Sequence, residues 1–309
     1  MSSLFTTRAS GKLLLTGEYF VLDGAVALAV PVRFGQTLRA TTGPEQGILV
    51  WNSTDQDGQT WFQGTFDAKL LDIITETDAA TAQTLQAILR ACRSQNPAFL
   101  TGSQGLEVTT QNDFPREWGL GSSSTLIAAL ARWADVDPYR VLFDTLGGSG
   151  YDIACAYADG PLLYQLKKTQ PIVQRVDFQP PFAENIYFVY LGKKQNSREG
   201  ISRYRPRADA FKTTAAEICR LTERCLMATT LPEFEQVIQQ HESIVSRALD
   251  LPTVKSQFFE DFPGAVKSLG AWGGDFVLAA SHLPETETRV YFREKGFETV
   301  LGWGEMMGG

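Results

Sequence analysis

The amino-acid sequence predicts an α+β protein with two domains. Strand-like segments dominate the first hundred residues, and helices and strands then follow in mixed order instead of strict alternation. The chain has 309 residues, 43% of them hydrophobic and 20% charged, which is typical of a folded globular protein that can bury its own core. The pattern breaks near Gln179–Glu184, where Pro180 and Pro181 stand side by side. We therefore expect one domain over residues 1–180 and a second over residues 181–309.

Hydrophobic periodicity assigns the individual elements. Apolar runs that alternate with polar residues, or that are rich in β-branched residues, predict the strands. The predicted strands are Lys12–Thr16, Ala25–Val30, Gly35–Thr42, Ile48–Ser53, Trp61–Asp67, Leu106–Thr110, Leu162–Leu166, Ile186–Leu191, Ala265–Leu269, Phe276–Ala280 and Thr299–Leu301. Apolar residues at helical spacing, such as Leu85, Ile88 and Cys92, predict the helices. The predicted helices are Thr81–Ser94, Thr125–Ala134, Pro138–Leu146, Tyr151–Tyr157, Ala208–Ala228, Pro232–Ala248 and Glu285–Lys295. Residues 302–309 are Gly-rich and are expected to form a loosely held tail.

The charge balance and the cysteines argue against several classes of protein. The formal net charge is −7, whereas a nucleic-acid-binding protein usually presents a basic face, so we expect no nucleic-acid partner. No apolar run approaches the roughly 20 residues of a membrane helix, and the N-terminus lacks a signal-peptide pattern, so we expect no membrane partner. The four cysteines and two histidines form neither a zinc motif nor a disulfide framework, which favours free thiols in a reducing cytoplasm.

A glycine- and serine-rich loop, WGLGSSS over residues 118–124, runs directly into a predicted helix. Glycine permits positive φ and a close approach of backbone to a ligand, and the N–H groups at a helix start attract phosphate. A serine hydroxyl at such a position can also ligate Mg²⁺. The alternative is an ordinary loop with serine helix caps. The Walker A pattern is absent and no dinucleotide-binding glycine fingerprint opens the chain, so neither a P-loop NTPase nor a Rossmann fold is expected.

Two further segments carry groups suited to proton transfer. A Gly/Ser turn at residues 148–150 leads to Asp152 at the start of a predicted helix, where a carboxylate can act as a base towards a hydroxyl or simply cap the helix. Lys12 enters an apolar strand, where its charge must be paired or solvated. If Lys12 faces Asp152, the two form a catalytic pair. Otherwise Lys12 is a lysine at a strand edge.

Five segments together resemble the motifs of the GHMP superfamily (galactokinase, homoserine kinase, mevalonate kinase and phosphomevalonate kinase), and they occur in the order typical of that family. These segments are the first motif Gly11–Gly24, the second motif Gly119–Ser124, the turn Gly148–Asp152, the loop Lys193–Glu199 and the third, glycine-rich motif Lys267–Asp275. The string GYDIA at residues 150–154 also resembles the hallmark of a subgroup of GHMP kinases that is associated with bacterial mevalonate-pathway genes.

The resemblance implies a ribosomal-protein-S5-like N-terminal domain, a ferredoxin-like C-terminal domain and a kinase that uses ATP and Mg²⁺. It implies catalytic roles for Lys12 and Asp152, and Mg²⁺ binding by Ser123. The residues implied to bind the nucleotide are Gly119, Leu120, Gly121, Ser122, Ser123, Ser124, Gly270, Gly273 and Gly274. The residues implied to bind the substrate are Glu18, Tyr19, Ser197 and Arg198. The implied partner is a small molecule that accepts the phosphoryl group through a hydroxyl or a phosphate, with mevalonate and phosphomevalonate leading. The chain could also form a homodimer.

The sequence departs from the family at three points. Trp272 stands where relatives usually have a small residue. Tyr19 stands where mevalonate kinases often have a histidine and phosphomevalonate kinases often have a tyrosine. No glutamate lies between Trp118 and Asp152, where mevalonate kinases carry a Mg²⁺ ligand. Among the aspartates of that interval Asp144 is the candidate ligand, although a solvated helix position also explains it.

Two other functions stay open at this point. A mevalonate diphosphate decarboxylase-like enzyme shares the fold and also consumes ATP. A nucleotide-binding sensor without catalysis is favoured by the altered third motif and the missing glutamate. Lys12 and Asp152 together favour an enzyme, because a binding module needs neither.

Overall fold

The computed structural model describes residues 3–193, 197–205, 211, 213–270, 272 and 275–307, without the side chains of residues 197 and 198. The chain divides into two compact units. The first unit comprises Met1–Gly11, Phe34–Arg116 and Leu120–Tyr157, and the second comprises Lys12–Arg33, Glu117–Gly119 and Ala158–Gly309. Two long strands, β1 (Ser3–Thr16) and β2 (Ala27–Thr42), contribute residues to both units. The domain boundary at residue 180 stays a prediction.

The first unit is built on a mixed sheet. Its other strands are β3 (Ile48–Thr54), β4 (Thr60–Asp67), β5 (Ile73–Glu76) and β6 (Leu106–Asn112). The order is β5-β4-β3-β6-β2, with β3 and β6 parallel and the other neighbours antiparallel. The strands β3 and β4 form an antiparallel hairpin, and Gly58 with φ of 78° lies in its turn.

Four helices complete the first unit: α1 (Ala79–Gln95), α2 (Ser122–Ala134), α3 (Pro138–Thr145) and α4 (Tyr151–Tyr157). Local sequence sets their ends. Asp78 caps α1, Asp137 caps α3 with Pro138 at its first position, and Asp135 ends α2 in the left-handed conformation. The buried side chains of these helices and of β2, β3, β4 and β6 form one hydrophobic core, in which Trp51 and Phe62 are among the largest members.

The second unit contains an antiparallel sheet of β9 (Ile186–Tyr190), β10 (Ala265–Ser268), β11 (Phe276–Ala280) and β12 (Val300–Gly302), in the order β10-β11-β9-β12. The intervening helices are α5 (Ser197–Tyr204), α6 (Thr214–Met227), α7 (Leu231–Leu249), α8 (Val254–Phe258) and α9 (Glu285–Glu294), and α10 (Trp303–Met307) follows β12. This succession of strand, helices, two strands, helix and strand is the ferredoxin-like arrangement that the sequence resemblance implies. Also in this unit, β7 (Leu162–Lys167) pairs with Ala27–Ala29 of β2 and with β8 (Gln170–Arg175).

The structure corrects several element predictions. The two strands predicted over 25–42 are one strand, because Pro31 lies between the residues of β2 that pair with β7 and those that pair with β6 and so leaves both pairings intact. The loosely held tail is wrong for Trp303–Met307, which form α10 with Met306 fully buried. The predicted start of α6 at Ala208 lies outside the described residues. Within the described part of the chain, no helix is long and apolar enough to cross a membrane.

Candidate functional site

In the second unit, the lysine of the first strand reaches the glycine-rich loop. Lys12 Nζ donates a hydrogen bond to the carbonyl oxygen of Gly119 at 3.0 Å. Gly119 follows a short 3-10 turn, Arg116–Trp118, whose last ring packs edge-on against Phe276 of β11 at 5.5 Å between ring centroids. The lysine charge, which an apolar strand cannot accommodate alone, is thus held at the first glycine of the loop.

An acidic side chain lies against the same glycine. A Cβ placed on Gly119 would lie 2.6 Å from Cγ of Asp275, and one placed on Gly270 would lie 3.2 Å from Oδ2 of Asp275. Both glycines also have positive φ, 67° and 65°. Glycine is therefore required at both positions by backbone conformation and by the space that Asp275 takes. Asp275 is buried, and its place at the end of the third motif is the sole feature of the sequence that points to it.

In the first unit, the rest of the loop forms the start of α2. Gly121, with φ of 97° and ψ of 40°, is the N-cap residue, and no side chain caps the first turn of α2 in the described structure. Ser124 Oγ donates to the carbonyl oxygen of Gly121 at 2.8 Å, whereas Leu120 is fully buried and anchors the loop. Backbone N–H groups at the start of a helix, here including those of Ser122 and Ser123, are able to bind an anion such as phosphate.

The predicted base, Asp152, lies in the first turn of α4. It follows a turn in which Gly148 and Gly150 have φ of 106° and 88°. Its Oδ1 accepts a hydrogen bond from the N–H of Ile153 at 3.0 Å, and its side chain is partly exposed. A carboxylate in this setting can serve both as a helix-start acid and as a proton acceptor. Lys12 and Asp152 belong to different units, and their pairing stays a prediction.

Glu18 lies in a buried charged cluster of the second unit. It forms an ion pair with Lys267 of β10, whose Nζ also donates to the carbonyl oxygen of Ser268 at 2.8 Å. Glu18 Oε2 and His241 Nε2 are 3.4 Å apart, but Nε2 already accepts the N–H of Gly17 at 2.8 Å, so the imidazole is neutral. Burial lowers the pKa of His241 well below its ordinary value, which agrees with a neutral ring.

A second carboxylate, Glu242 of α7, faces the same lysine. Its two oxygens accept the N–H of Ser268 at 3.0 Å, the hydroxyl of Ser268 at 3.2 Å and the N–H of Val254 at 3.1 Å. Burial raises the pKa of Glu242 to about 7, and the charge of Lys267 offsets part of that rise. Burial likewise raises the pKa of Glu18, again against the pull of Lys267. The end of β10 is therefore held by side chains from the turn after β1 and from α7.

Tyr19, predicted to bind substrate, is buried and engaged inside the second unit. Its hydroxyl accepts the backbone N–H of Trp272 at 3.1 Å, and its ring packs against that of Tyr204 in α5 with centroids 5.8 Å apart. Tyr204 in turn donates to Asp23 at 2.6 Å. The structure thus brings together residues from the first motif, the third motif and α5. Substrate binding by Glu18 and Tyr19 stays a prediction.

Several predicted residues cannot be described. Gly273 and Gly274 lie outside the described residues. Ser197 and Arg198 are the first two residues of α5, but their side chains lie outside the description. Their roles in nucleotide and substrate binding stay predictions.

The aspartates considered as Mg²⁺ ligands have local explanations. Asp144 is exposed and forms an ion pair at 3.9 Å with Arg140, one turn earlier in α3. Asp135 ends α2 and Asp137 caps α3, as their position just before Pro138 predicts. Among the described residues no group of three His, Cys, Asp or Glu side chains could hold a metal ion. Mg²⁺ bound with a nucleotide usually keeps several waters and takes only one or two protein ligands, so such a group is not required.

The sequence alone predicts no functional role for His241, Glu242 or Lys267. The signal was available for the helix: Val237, Ile238, His241 and Val245 recur at the spacing of one helical face, which places His241 in the core. Lys267 lies in a short apolar strand, where an unpaired charge is unfavourable and a buried acidic partner is therefore expected.

One segment of the chain matches a known family. Residues 82–136, which contain the loop and α2, match the model of the GHMP kinases N terminal domain. No curated protein sequence matches the chain.

Solved structures match the fold over nearly the whole chain. Mevalonate kinase from Methanococcus jannaschii is 15% identical, with 96% of each chain covered and a TM-score of 0.69. Phosphomevalonate kinase from Streptococcus pneumoniae, in complex with phosphomevalonate and AMPPNP, is 16% identical, with 97% of this chain and 100% of that chain covered and a TM-score of 0.68. Galactokinase from Lactococcus lactis, complexed with galactose, is 13% identical, with 98% and 93% covered and a TM-score of 0.64. These matches establish that the chain has the fold of the GHMP kinases, and the segment 82–136 matches the family model of their N-terminal domain.

Proposed function

We propose that the chain is an ATP-dependent small-molecule kinase that transfers the γ-phosphoryl group of ATP to a hydroxyl or phosphate acceptor. The observation that carries this proposal is the hydrogen bond from Lys12 to the carbonyl oxygen of Gly119, which fixes a lysine at the first residue of the glycine-rich loop. A nucleotide-binding module without catalysis has no need of a lysine at this position. The proposal places the protein in the cytoplasm and leaves the homodimer as a prediction.

The start of α2 supports nucleotide binding. Its N-cap residue, Gly121, supplies no side-chain cap and adopts a positive φ that brings consecutive N–H groups to the helix start. In this proposal Gly119, Leu120 and Gly121 shape the loop, and the N–H groups of the serines at 122–124 hold the phosphates. The hydroxyl of Ser123 ligates Mg²⁺. Gly270, Gly273 and Gly274 complete the nucleotide site.

The chemistry then needs positioning and charge neutralisation more than covalent catalysis. When bound, ATP and Mg²⁺ supply the phosphoryl group and neutralise its charge. Lys12 stabilises the charge that develops on the acceptor oxygen, and Asp152 takes the proton from an acceptor hydroxyl. Ser197 and Arg198 hold an anionic group of the acceptor, since a guanidinium matches carboxylate and phosphate equally well.

Mevalonate and phosphomevalonate are the acceptors we favour. Solved mevalonate kinase and phosphomevalonate kinase structures share the fold at TM-scores of 0.69 and 0.68, and the GYDIA string resembles that of kinases associated with mevalonate-pathway genes. The galactokinase match at a TM-score of 0.64 shows that the same fold also serves a sugar kinase, so the fold does not select the acceptor.

A panel assay tests the proposal. Purified protein with ATP and Mg²⁺ is offered mevalonate, phosphomevalonate, diphosphomevalonate, homoserine and simple sugars, and ADP release is measured for each. We expect ADP release that depends on one acceptor, with mevalonate or phosphomevalonate the most active. AMPPNP binding without acceptor-dependent ADP release from any compound would instead favour the sensor, and release of CO₂ together with ADP would favour the decarboxylase-like enzyme.

A further inference from the structure

Tyr19 lies at the centre of a strained turn directly after β1. Its φ and ψ are 63° and −46°, and across it the N–H of Phe20 donates to the carbonyl oxygen of Glu18 at 2.7 Å. This is a γ-turn with positive φ, a rare and strained conformation for a residue that carries a side chain. Such strain persists only where the surrounding contacts fix the residue. The contacts of the Tyr19 side chain therefore indicate what this turn holds in place.

The first contact is with the segment after β10. The backbone N–H of Trp272 donates to the Tyr19 hydroxyl oxygen at 3.1 Å. Tyr19 and Trp272 are both buried, so without this hydroxyl the N–H would be left unsatisfied away from water. Burial raises the pKa of Tyr19 to about 12, which keeps its hydroxyl protonated at physiological pH.

The second contact is with α5. A Cβ placed on Gly200 would meet the Tyr19 hydroxyl oxygen first, and it would also lie 2.9 Å from Cε1 and 3.0 Å from Cζ of Tyr19, well inside the roughly 3.5–4.0 Å of a normal carbon contact. Glycine thus allows the backbone of α5 to lie directly on the Tyr19 ring. Tyr204, at the end of the same helix, packs its ring against that of Tyr19 and donates a hydrogen bond from its hydroxyl to Asp23.

We propose that Tyr19 is a positioning residue that couples α5 to the Trp272 backbone, so that a shift of α5 is transmitted through one aromatic ring to the third glycine motif. This inference rests on the proposed function, in which α5 begins with the acceptor-binding residues Ser197 and Arg198 and the third motif serves the nucleotide. Tyr19 then acts by linking the two binding segments and makes no direct contact with the substrate.

The substitution Tyr19→Phe tests the first half of this link, because it keeps the ring and removes the hydroxyl. In protein labelled with ¹⁵N-tryptophan, we expect the exchange protection of the Trp272 amide to fall. Binding of AMPPNP with Mg²⁺ should weaken by about threefold to tenfold, which is the effect of losing one hydrogen bond, while the KM for the acceptor stays unchanged. Tyr204→Phe is the matched control. It removes the hydroxyl bound to Asp23 and should leave the Trp272 amide as protected as in the wild type.

Gly200→Ala tests the second half. Alanine favours a helix over glycine, so any loss must come from contact with Tyr19. We expect Gly200→Ala to weaken AMPPNP binding and Trp272 protection in the wild-type background but to add nothing in the Tyr19→Phe background, where no hydroxyl remains to transmit the shift.

Two results would overturn the inference. One is additivity, in which Gly200→Ala weakens AMPPNP binding by the same factor in both backgrounds. The other is a Tyr19→Phe protein with normal Trp272 protection and normal AMPPNP binding but a raised acceptor KM, which would assign Tyr19 to direct substrate binding. A wild-type protein that does not bind AMPPNP would contradict the proposed function instead. The exchange of the Trp272 amide in the two variants would still decide whether the coupling exists.

Discussion

Replacing Lys267 by methionine should strongly destabilise the second unit. Lys267 is fully buried, and its ammonium group pairs with Glu18 and faces Glu242. Methionine nearly matches the length of the lysine stem, so the substitution removes the charge while retaining most of the packing.

The size of the destabilisation follows from the buried carboxylate that the substitution leaves without its partner. Without Lys267, the carboxylate of Glu18 loses its cationic partner in a site from which water is excluded. Its other oxygen has no hydrogen-bond donor among the described residues, so no other group there compensates the charge. Removing one partner of a buried ion pair typically costs about 3–5 kcal/mol. The pair itself need not stabilise the fold, since replacing both partners by neutral residues is often close to neutral. Glu18→Gln combined with Lys267→Met should therefore recover much of the loss.

Urea unfolding at neutral pH measures these free energies. Lys295→Met is the matched control, because Lys295 pairs at 2.9 Å with Asp261, whose side chain is 67% exposed, and an exposed pair contributes about 1 kcal/mol or less. The cost of Lys267→Met should also shrink from pH 8 to pH 5, because without the lysine the two buried carboxyls take up protons more readily. A Lys267→Met protein as stable as the Lys295→Met control, or a double variant as unstable as the single one, would refute this reasoning.

Three further outcomes are expected. Gly119→Ala should nearly abolish nucleotide binding and lower the free energy of unfolding by about 1–3 kcal/mol, because Gly119 has φ of 67° and a methyl group there would meet Asp275. Calorimetric titration with AMPPNP measures the binding, and urea unfolding measures the stability. Asp152→Asn should lower turnover by about 10²–10⁴-fold with AMPPNP affinity intact, because only the proton-accepting group is lost; near-normal turnover would remove Asp152 from catalysis. Burial raises the pKa of Glu242 from 4.5 to about 7, so between these pH values the folded state binds more protons than the unfolded state. The free energy of unfolding should therefore fall by about 3 kcal/mol as the pH rises through this range. Glu242→Gln should flatten that slope in urea unfolding measured from pH 4.5 to 8, and an unchanged slope would assign the dependence to another group.

The loop and its helix could be read from the sequence because their chemistry is local. Glycines 119 and 121 have the positive φ values that their spacing suggests, and α2 starts within a few residues of the predicted position. The caps Asp135 and Asp137 follow equally from their place just before Pro138. The ferredoxin-like sheet was implied by the resemblance, while periodicity alone supplied its four strands without their order.

The buried cluster could not be predicted in this way, because it depends on contacts between distant parts of the chain. Glu18 and Lys267 are 249 residues apart, and the local sequence around each residue does not indicate which residue it pairs with. Glu18 was assigned to substrate on the strength of its motif, and its ion pair with Lys267 becomes visible only when the strand β10 is placed. The role of Gly200 is hidden for the same reason, since a glycine in a short helix gives no signal unless the ring of Tyr19 is seen against it.

The elements that periodicity missed are short, or their apolar residues follow neither the strand period of two nor the helix period of about 3.6. The edge strands β5 and β8 are largely exposed, so they lack the apolar alternation on which the strand predictions relied. The last helix, α10, contains Gly304 and two adjacent methionines and is followed by two glycines, a composition that resembles a flexible tail. It is held by Glu305, which accepts hydrogen bonds from Arg289 and from the N–H of Gly302 at 2.6 Å.

The measurement that tests the central claim most directly is the fate of the γ-phosphoryl group of ATP. ATP carrying a radioactive γ-phosphate is incubated with the protein, Mg²⁺ and either mevalonate or phosphomevalonate, and the label is followed by chromatography. We predict that the label appears in the organic product at the rate at which ADP forms, and that Asp152→Asn slows both together. Label that stays in ATP with these two acceptors and with the rest of the panel, although AMPPNP binds, would contradict the assignment as a kinase, as would label that appears only as inorganic phosphate.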